Sequence, residues 1–196
     1  MKKITIALIM VISLIAPIQT MAESVTQNGT IIEPLEQNIE QIIDEITSEP
    51  RPINSDAIQN VKEYISEYFG NLGYDNIEYQ KFEYNDENNE NAIRHSSQAD
   101  VFLASTAEDA IVDGIGENII VTKNSSIDTT KNLIISAHYD SAEDSVGAND
   151  NGSGVAAVLE LARILKDTEI PYNIKFILFS GEEKYMLGSR WYVGKL

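Results

Sequence analysis

The chain has 196 residues, about one domain, and 43% of them are hydrophobic, which is enough for a substantial core. Its formal net charge of −17 at pH 7 makes nucleic acid and anionic membrane surfaces unfavourable partners. Cysteine is absent, which excludes disulfides, a thiolate nucleophile and thiolate metal ligands. Any metal must therefore be bound by histidine and carboxylates.

The first 22 residues have the pattern of a bacterial secretory signal. Lys2 and Lys3 give a basic start, residues 4–16 form an apolar run, and Thr20 and Ala22 offer small residues for cleavage. The apolar run is shorter than the roughly 20 residues that span a membrane, so an uncleaved anchor is the lesser alternative. We therefore predict a secreted or periplasmic protein with no stable membrane association once the signal is cleaved.

Two helices are predicted after a loose lead-in at residues 23–34. Apolar residues recur at helical spacing from residue 35 to 46. A second amphipathic pattern predicts a helix from about residue 55 to 69, with Ser55 as its cap. The predicted end signals of this helix are Gly70 and Gly73. Both helices are expected to cover a sheet and to carry no catalytic groups.

The middle of the chain contains several strand candidates. Residues 77–84 form a predicted strand whose alternation slips phase near Lys81, which indicates an edge of the sheet. A polar, acidic loop follows at residues 85–91. Further strand candidates are residues 101–105 and 118–123, the latter after a turn at Gly114 and Gly116.

The most informative stretch is residues 133–183. Two short apolar runs, residues 133–137 and 174–179, are typical of strands buried on both faces, and a helical pattern at 153–167 lies between them. This strand–loop–helix–strand order predicts a parallel or mixed sheet with polar side chains at the carboxyl ends of its strands. The residues at those ends are His138, Asp140, Asp150, Glu182 and Glu183.

His138, Asp140 and Asp150 have the residue types of a metal site. His138 and Asp140 are two residues apart at a strand end and so project to the same side. A metal-binding histidine usually donates its second ring N–H to a carboxylate, and Asp140 is the candidate partner, although it can also ligate directly. Asp150 lies in a glycine-rich segment just before a helix, where the helix dipole favours the ionised carboxylate. A carboxylate there can bridge two cations.

Glu182 and Glu183 are adjacent residues after a strand and project differently, so one can bind metal while the other faces a substrate. A metal ion lowers the pKa of the water that it binds to about 7, and a nearby carboxylate can take the proton. Each feature has an ordinary alternative: a solvated strand end, a helix cap, or exposed glutamates. Their coincidence at the ends of neighbouring elements favours a metal site with a general base.

Three motifs, HYD at 138–140, GANDNGSG at 147–154 and SGEEKYMLGS at 180–189, resemble those of the secreted di-zinc aminopeptidases of the bacterial leucyl aminopeptidase and aminopeptidase Y type. The resemblance covers roughly residues 35–196. It implies a three-layer α/β/α sandwich with a mixed sheet, of the phosphorylase/hydrolase-like zinc-peptidase type. It also implies two zinc ions per complete site and peptide substrates that lose their N-terminal residue.

Carried over residue by residue, the resemblance implies a role for each site residue. His138 binds the first zinc, Glu183 binds the second, and Asp150 bridges both. Asp140 orients the histidine, and Glu182 is the general base toward the attacking water. By the same resemblance, bound zinc ions would polarise the carbonyl and stabilise the oxyanion.

The sequence departs from the family pattern in two places. Tyr185 stands where the family usually has glycine, which is expected to alter the turn that leaves the site. The family also has a later aspartate ligand and a later histidine ligand, whereas no aspartate follows Asp167 and no histidine follows His138 here. We therefore expect the N-terminal portion of a catalytic domain, incomplete at its C-terminus, with weak zinc binding and little or no activity alone. The other histidine, His95, is expected on the surface.

The predicted organisation is a signal peptide at 1–22, a lead-in at 23–34 and a metallo-aminopeptidase catalytic domain at 35–196. Two alternatives from other classes stay open. One is a glutaminyl cyclase-like transferase on the same scaffold, which typically holds a single zinc. The other is a non-catalytic, receptor-like domain. The sequence leaves the oligomeric state, the preferred terminal residue and the choice among zinc, cobalt and manganese undetermined.

Overall fold

The computed structural model describes residues 25–27, 30–84 and 113–196. The predicted signal at 1–22, the acidic loop at 85–91, the strand candidate at 101–105 and His95 lie outside these residues. The elements in chain order are β1 (Val25–Gln27), β2 (Thr30–Ile32), α1 (Glu36–Ile46), α2 (Asp56–Asn71), β3 (Ile77–Tyr84), β4 (Gly114–Lys123), β5 (Asn132–His138), α3 (Ser153–Leu165), β6 (Asn173–Phe179) and α4 (Leu187–Gly194). Among the described residues, no helix has the length and apolar character needed to cross a bilayer.

The strands from β3 onward form one mixed sheet in the described part of the chain, in the order β3–β4–β6–β5. β4 is antiparallel to both β3 and β6, whereas β5 and β6 are parallel. The β5–α3–β6 unit is therefore the strand–helix–strand crossover that the periodicity predicts. β3 lies at an outer edge of the sheet, as its irregular alternation indicates.

Helices cover both faces of the sheet because its central strands are apolar on both sides. Ile119 and Val121 of β4 pack in the main core with residues of α1, α2 and α3. Ile120, between them, packs on the opposite face with Ile177 of β6 and Tyr192 of α4. The arrangement is the three-layer α/β/α sandwich that the resemblance implies.

The N-terminal end of α2 agrees with the prediction, and its C-terminal end corrects one detail. The Ser55 hydroxyl accepts a hydrogen bond from the Ile58 N–H at 3.1 Å, which is the predicted cap. The helix runs through Gly70, so Gly70 is not a stop signal. The chain turns at Gly73, where φ is +85°, in the left-handed region that glycine adopts without steric cost.

Two further predictions are wrong. β4 begins at Gly114, so the predicted turn at Gly114 and Gly116 is part of a strand. Gly116 pairs with Phe82 of β3, and a Cβ on Gly116 would lie 2.2 Å from the Phe82 ring, so the glycine makes room for the ring. The lead-in at 23–34 is not loose throughout, because β1 and β2 pair antiparallel there. β-Branched residues, which favour strands, make up most of both segments.

Candidate metal centre

The candidate site lies at the carboxyl ends of the parallel strands β5 and β6. His138 is the last residue of β5 and is paired with Phe179, the last residue of β6. Asp140 follows the first strand, and Glu182 and Glu183 follow the second. Parallel pairing therefore brings the imidazole and these acids to one edge of the sheet, as expected for a site in an open α/β sheet.

The His138 ring is held between backbone and carboxylates. Its Nε2 lies 3.0 Å from Oδ1 of Asp150 and 3.9 Å from Oε2 of Glu182. Its Nδ1 lies 3.2 Å from the carbonyl oxygen of Asp140 and 3.6 Å from Oδ1 of the same residue. Burial acts to lower the pKa of His138, but the hydrogen bonds and charges of Asp140, Glu182 and Asp150 outweigh it, and the pKa is raised.

Asp140 joins the two strand ends. It is 1% exposed, and its two carboxylate oxygens accept hydrogen bonds from the N–H groups of Glu182 and Glu183, each at 3.1 Å. The turn that aims these N–H groups at Asp140 contains Gly181, with φ at +72°. A Cβ on Gly181 would also lie 2.6 Å from the Ile53 side chain. The carboxylate of Asp140 thus fixes the backbone from which both glutamates project.

Asp150 is presented by an irregular turn (Ala148–Gly152) immediately before α3. Its side chain is 76% exposed, and its backbone is not helical. The N-cap position of α3 is Gly152, and the side-chain oxygen of the preceding residue, Asn151, accepts the Gly154 N–H at 3.0 Å. Asn151 therefore makes the hydrogen bond that the helix-cap alternative would assign to Asp150, and Asp150 faces His138.

Glu183 lies among groups of the same charge. Its pKa is raised, first by burial and then by the negative charge of Asp150, while the charge of His138 acts to lower it. Glu182 and Asp140 act in the same direction as Asp150. A carboxylate in such surroundings gains more than an isolated one from a cation placed between these groups.

The residues present fit a zinc ion in donor chemistry. An imidazole with carboxylates is a donor set that zinc takes in proteins. Within the described ranges, no group of three His, Asp or Glu side chains already stands in a metal-binding arrangement. His138 and Asp150 are hydrogen-bonded to each other instead, so an ion would take the place of that hydrogen bond.

The segment that carries all five of these residues matches a known family model over residues 118–195. That model describes peptidase family M28. Aminopeptidase YwaD of Bacillus subtilis is 43% identical over 88 residues, which are 44% of this chain and 19% of that protein. The vacuolar membrane protease of Schizosaccharomyces japonicus is 31% identical over 150 residues, 76% of this chain and 16% of that protein. The chain thus spans under a fifth of the length of these curated relatives.

Solved structures confirm the predicted fold class. BSAP, a zinc aminopeptidase from Bacillus subtilis, is similar with a TM-score of 0.64 and 19% identity, over 82% of this chain and 65% of that one. The glutaminyl cyclase of Porphyromonas gingivalis is similar with a TM-score of 0.60 and 19% identity, over 81% of this chain and 52% of that one. The peptidase and the cyclase alternatives share this fold, so the fold alone does not separate them.

Arg51, to which the sequence pattern assigns no role, is hydrogen-bonded to the loop that joins His138 to Asp150. This arginine lies in the link between α1 and α2 and is fully buried. Its guanidinium donates hydrogen bonds to the carbonyl oxygens of Tyr139, Val146 and Gly147. The available signal was a charged residue between two prolines, Pro50 and Pro52, in a short link between amphipathic helices.

Proposed function

We propose that the chain carries the metal-binding and general-base residues of a zinc-dependent exopeptidase that removes N-terminal residues from peptides. The observation that carries this proposal is the convergence of His138, Asp150 and Glu182 at one sheet edge, with Asp140 holding the backbone of the glutamates. The match of this segment to peptidase family M28 and the similarity to Aminopeptidase YwaD support it.

Each site residue receives one role in this proposal. His138, Asp150 and Glu183 hold metal, and Asp140 orients His138 while fixing the turn after β6. Glu182 is the general base: its side chain is 42% exposed, so it can accept a proton from water on the open side of the site. A bound zinc ion would polarise the carbonyl of the peptide bond that is cleaved.

We further infer that two zinc ions share the complete site, and that the 196 residues alone bind zinc weakly and turn over little or no peptide. With Asp150 shared between two ions, His138 and Glu183 leave each ion one ligand of its own. A catalytic zinc usually has three protein ligands. Weak binding therefore follows from the number of ligands.

The proposed setting is secretion or the periplasm, with the signal at 1–22 removed, the lead-in at 23–34 and the catalytic segment at 35–196. The basic start and the apolar run of the first residues support it. N-terminal sequencing of the protein recovered from the medium or periplasm of an expressing bacterium tests this point. A start near residue 23 is expected, and an intact Met1 on membrane-bound protein would contradict it.

The central test is a zinc titration of the purified chain by calorimetry, combined with release of nitroaniline from aminoacyl-nitroanilides. Zinc binding is expected to be lost in Asp150→Asn and kept in Glu182→Gln, because the first removes a bridging ligand and the second removes a base. Any turnover is expected to disappear in Glu182→Gln. Equal zinc binding by the chain and Asp150→Asn would refute the site.

The same samples separate the alternatives. A peptide with an N-terminal glutamine is cleaved by a peptidase, whereas a glutaminyl cyclase closes its N-terminal ring and leaves the chain length unchanged. Mass spectrometry distinguishes the two products by their masses. Robust turnover by the 196-residue chain would refute the inference of low activity while supporting the exopeptidase.

A further inference from the structure

We propose that Arg51 is a positioning residue of the metal centre, which fixes the backbone that presents Asp150 to His138. The inference rests on the proposed function, because it concerns the same metal site. Arg51 belongs to neither strand of the site, and it reaches the site from the link between α1 and α2.

The guanidinium of Arg51 binds both ends of the loop that joins His138 to Asp150. Its Nε donates to the carbonyl oxygen of Tyr139 at 2.7 Å, immediately after His138. One terminal nitrogen donates to the carbonyl oxygen of Val146, and the other donates to that of Gly147 at 3.1 Å. The planar, rigid fork of an arginine is suited to holding several acceptors at a fixed spacing.

The backbone of Arg51 is tied to the same loop. Its N–H donates to the hydroxyl of Ser141 at 3.0 Å, and its carbonyl oxygen accepts the Ser141 N–H at 3.3 Å. The Ser141 hydroxyl in turn donates to the carbonyl oxygen of Ser145 at 2.8 Å. The link between the helices and the loop therefore form one hydrogen-bonded unit.

The position of Asp150 depends on this unit because the side chain itself is mostly exposed. Gly147, with φ at +57°, starts the irregular turn, and its carbonyl oxygen accepts both Arg51 and the Gly152 N–H at 2.9 Å. A Cβ on Gly147 would lie 2.4 Å from the carbonyl oxygen of Asp150, so the turn is tightly closed. Holding Gly147 in place therefore holds Asp150 in place.

The charge of Arg51 also matches its surroundings. Burial lowers the pKa of Arg51, and the charges of Asp140 and Glu183 offset this effect only in part. A buried guanidinium without negatively charged partners is costly, and nearby carboxylates reduce that cost. Lysine in its place keeps the positive charge but lacks the fork, so an Arg51→Lys variant separates geometry from charge.

The test compares Arg51→Lys with Arg163→Lys in the full chain. Arg163 is a matched control, because it also makes several hydrogen bonds, to Glu160 and to the carbonyl oxygen of Glu33, but none of these is to the loop. The first measurement is amide hydrogen exchange of the metal-free chain. In Arg51→Lys, residues 141–152 are expected to exchange about tenfold faster while β6 keeps its wild-type rate. In Arg163→Lys, residues 141–152 are expected to exchange at the wild-type rate.

The second measurement is metal binding, by zinc calorimetry and by the visible spectrum of the cobalt-substituted chain. Arg51→Lys is expected to weaken zinc binding by roughly 10- to 100-fold and to change the cobalt spectrum, as loss of a group that orients metal ligands does. Arg163→Lys is expected to change neither. A merely structural role for Arg51 would lower the melting temperature and leave the cobalt spectrum and the affinity of the folded fraction unchanged.

The outcomes distinguish this inference from the proposed function. The inference is overturned if Arg51→Lys keeps both the wild-type exchange rate at 141–152 and the wild-type zinc affinity. It is also overturned if amide exchange in this variant becomes faster by the same factor in every segment. Faster exchange at 141–152 in Arg51→Lys, together with a wild type that binds no zinc, would support the positioning of this backbone by Arg51 but refute the proposed metal site. Should Arg51→Lys not fold, Ser141→Ala removes one tie within the same unit. Faster local exchange in that variant supports the inference, and an unchanged rate overturns it.

Discussion

Replacing Asp140 with asparagine is expected to lower the free energy of unfolding of the metal-free chain by about 2–4 kcal/mol. The buried carboxylate accepts the N–H groups of Glu182 and Glu183 through its two oxygens. Asparagine can accept one of them, and its amide group then faces the other. A buried donor left without an acceptor costs about 1–3 kcal/mol, and the remaining hydrogen bond loses roughly 1 kcal/mol because its acceptor is no longer charged.

Thermal and urea unfolding, followed by circular dichroism, measure this loss. For a domain of this size, 1 kcal/mol shifts the melting temperature by about 2–4 °C, so the expected decrease is on the order of 10 °C. Asp150→Asn is the matched control, since it changes the same chemical group within the same site at an exposed position. Its expected loss is less than about 1 kcal/mol.

The comparison assigns separate roles to the two aspartates. A stability loss confined to Asp140→Asn, with zinc binding abolished in Asp150→Asn, agrees with one residue that builds the site and one that binds metal. Equal stability of Asp140→Asn and the wild type would contradict the reasoning, because the two hydrogen bonds to Glu182 and Glu183 would then contribute nothing. A large loss in Asp150→Asn would contradict it as well.

Two further predictions concern stability away from the metal ligands. Burial acts to raise the pKa of Glu160, but hydrogen bonds from Arg163, the Leu35 N–H and Asn38 outweigh it. The pKa of Glu160 is therefore below its ordinary value of 4.5. Its contribution to stability is therefore present above about pH 4.5 and is lost as the pH falls through the lowered pKa of the folded state. Glu160→Gln is expected to lower the free energy of unfolding by about 2 kcal/mol at pH 7 and by less at pH 3. Urea unfolding midpoints of the variant and the wild type at both pH values measure this difference. The same difference at both pH values would contradict the assignment. Tyr185 is exposed with φ at +67°, a conformation that costs a non-glycine residue roughly 1–2 kcal/mol. Replacement by glycine removes this cost, but about half of the gain is lost because glycine has more conformational freedom in the unfolded chain. Tyr185→Gly is thus expected to raise the melting temperature by about 1–3 °C, and a decrease would show that the ring makes a stabilising contact.

Periodicity predicts most of the fold because the elements are strongly patterned. β3 has the predicted bounds, β5 and β6 extend the predicted runs by a residue or two, and Ser55 caps α2 as expected. The predicted turn at Gly116 is wrong, because a single sequence does not distinguish a glycine that forms a turn from a glycine that makes room for a neighbouring ring. Only the pairing with Phe82 distinguishes them.

The places of the candidate site residues along the chain were predictable, but part of what holds them in position was not. His138, Asp150 and the glutamates are marked by their places at strand ends and before a helix, and the parallel pairing of β5 and β6 brings them together. Arg51 could not be predicted in this way, because its acceptors are backbone carbonyls 88 to 96 positions along the chain. A carbonyl acceptor has no side-chain type that a sequence pattern could reveal.

The carboxylate of Asp140 accepts hydrogen bonds from backbone N–H groups that lie 42 and 43 residues further along the chain. This separation in sequence has a consequence for the order of folding. The two glutamates take their places only after α3 has crossed over and β6 has aligned beside β5. In the unfolded chain, the candidate ligands are far apart and do not form a binding site for zinc. In the proposed site, binding of an ion would therefore follow the pairing of β5 with β6.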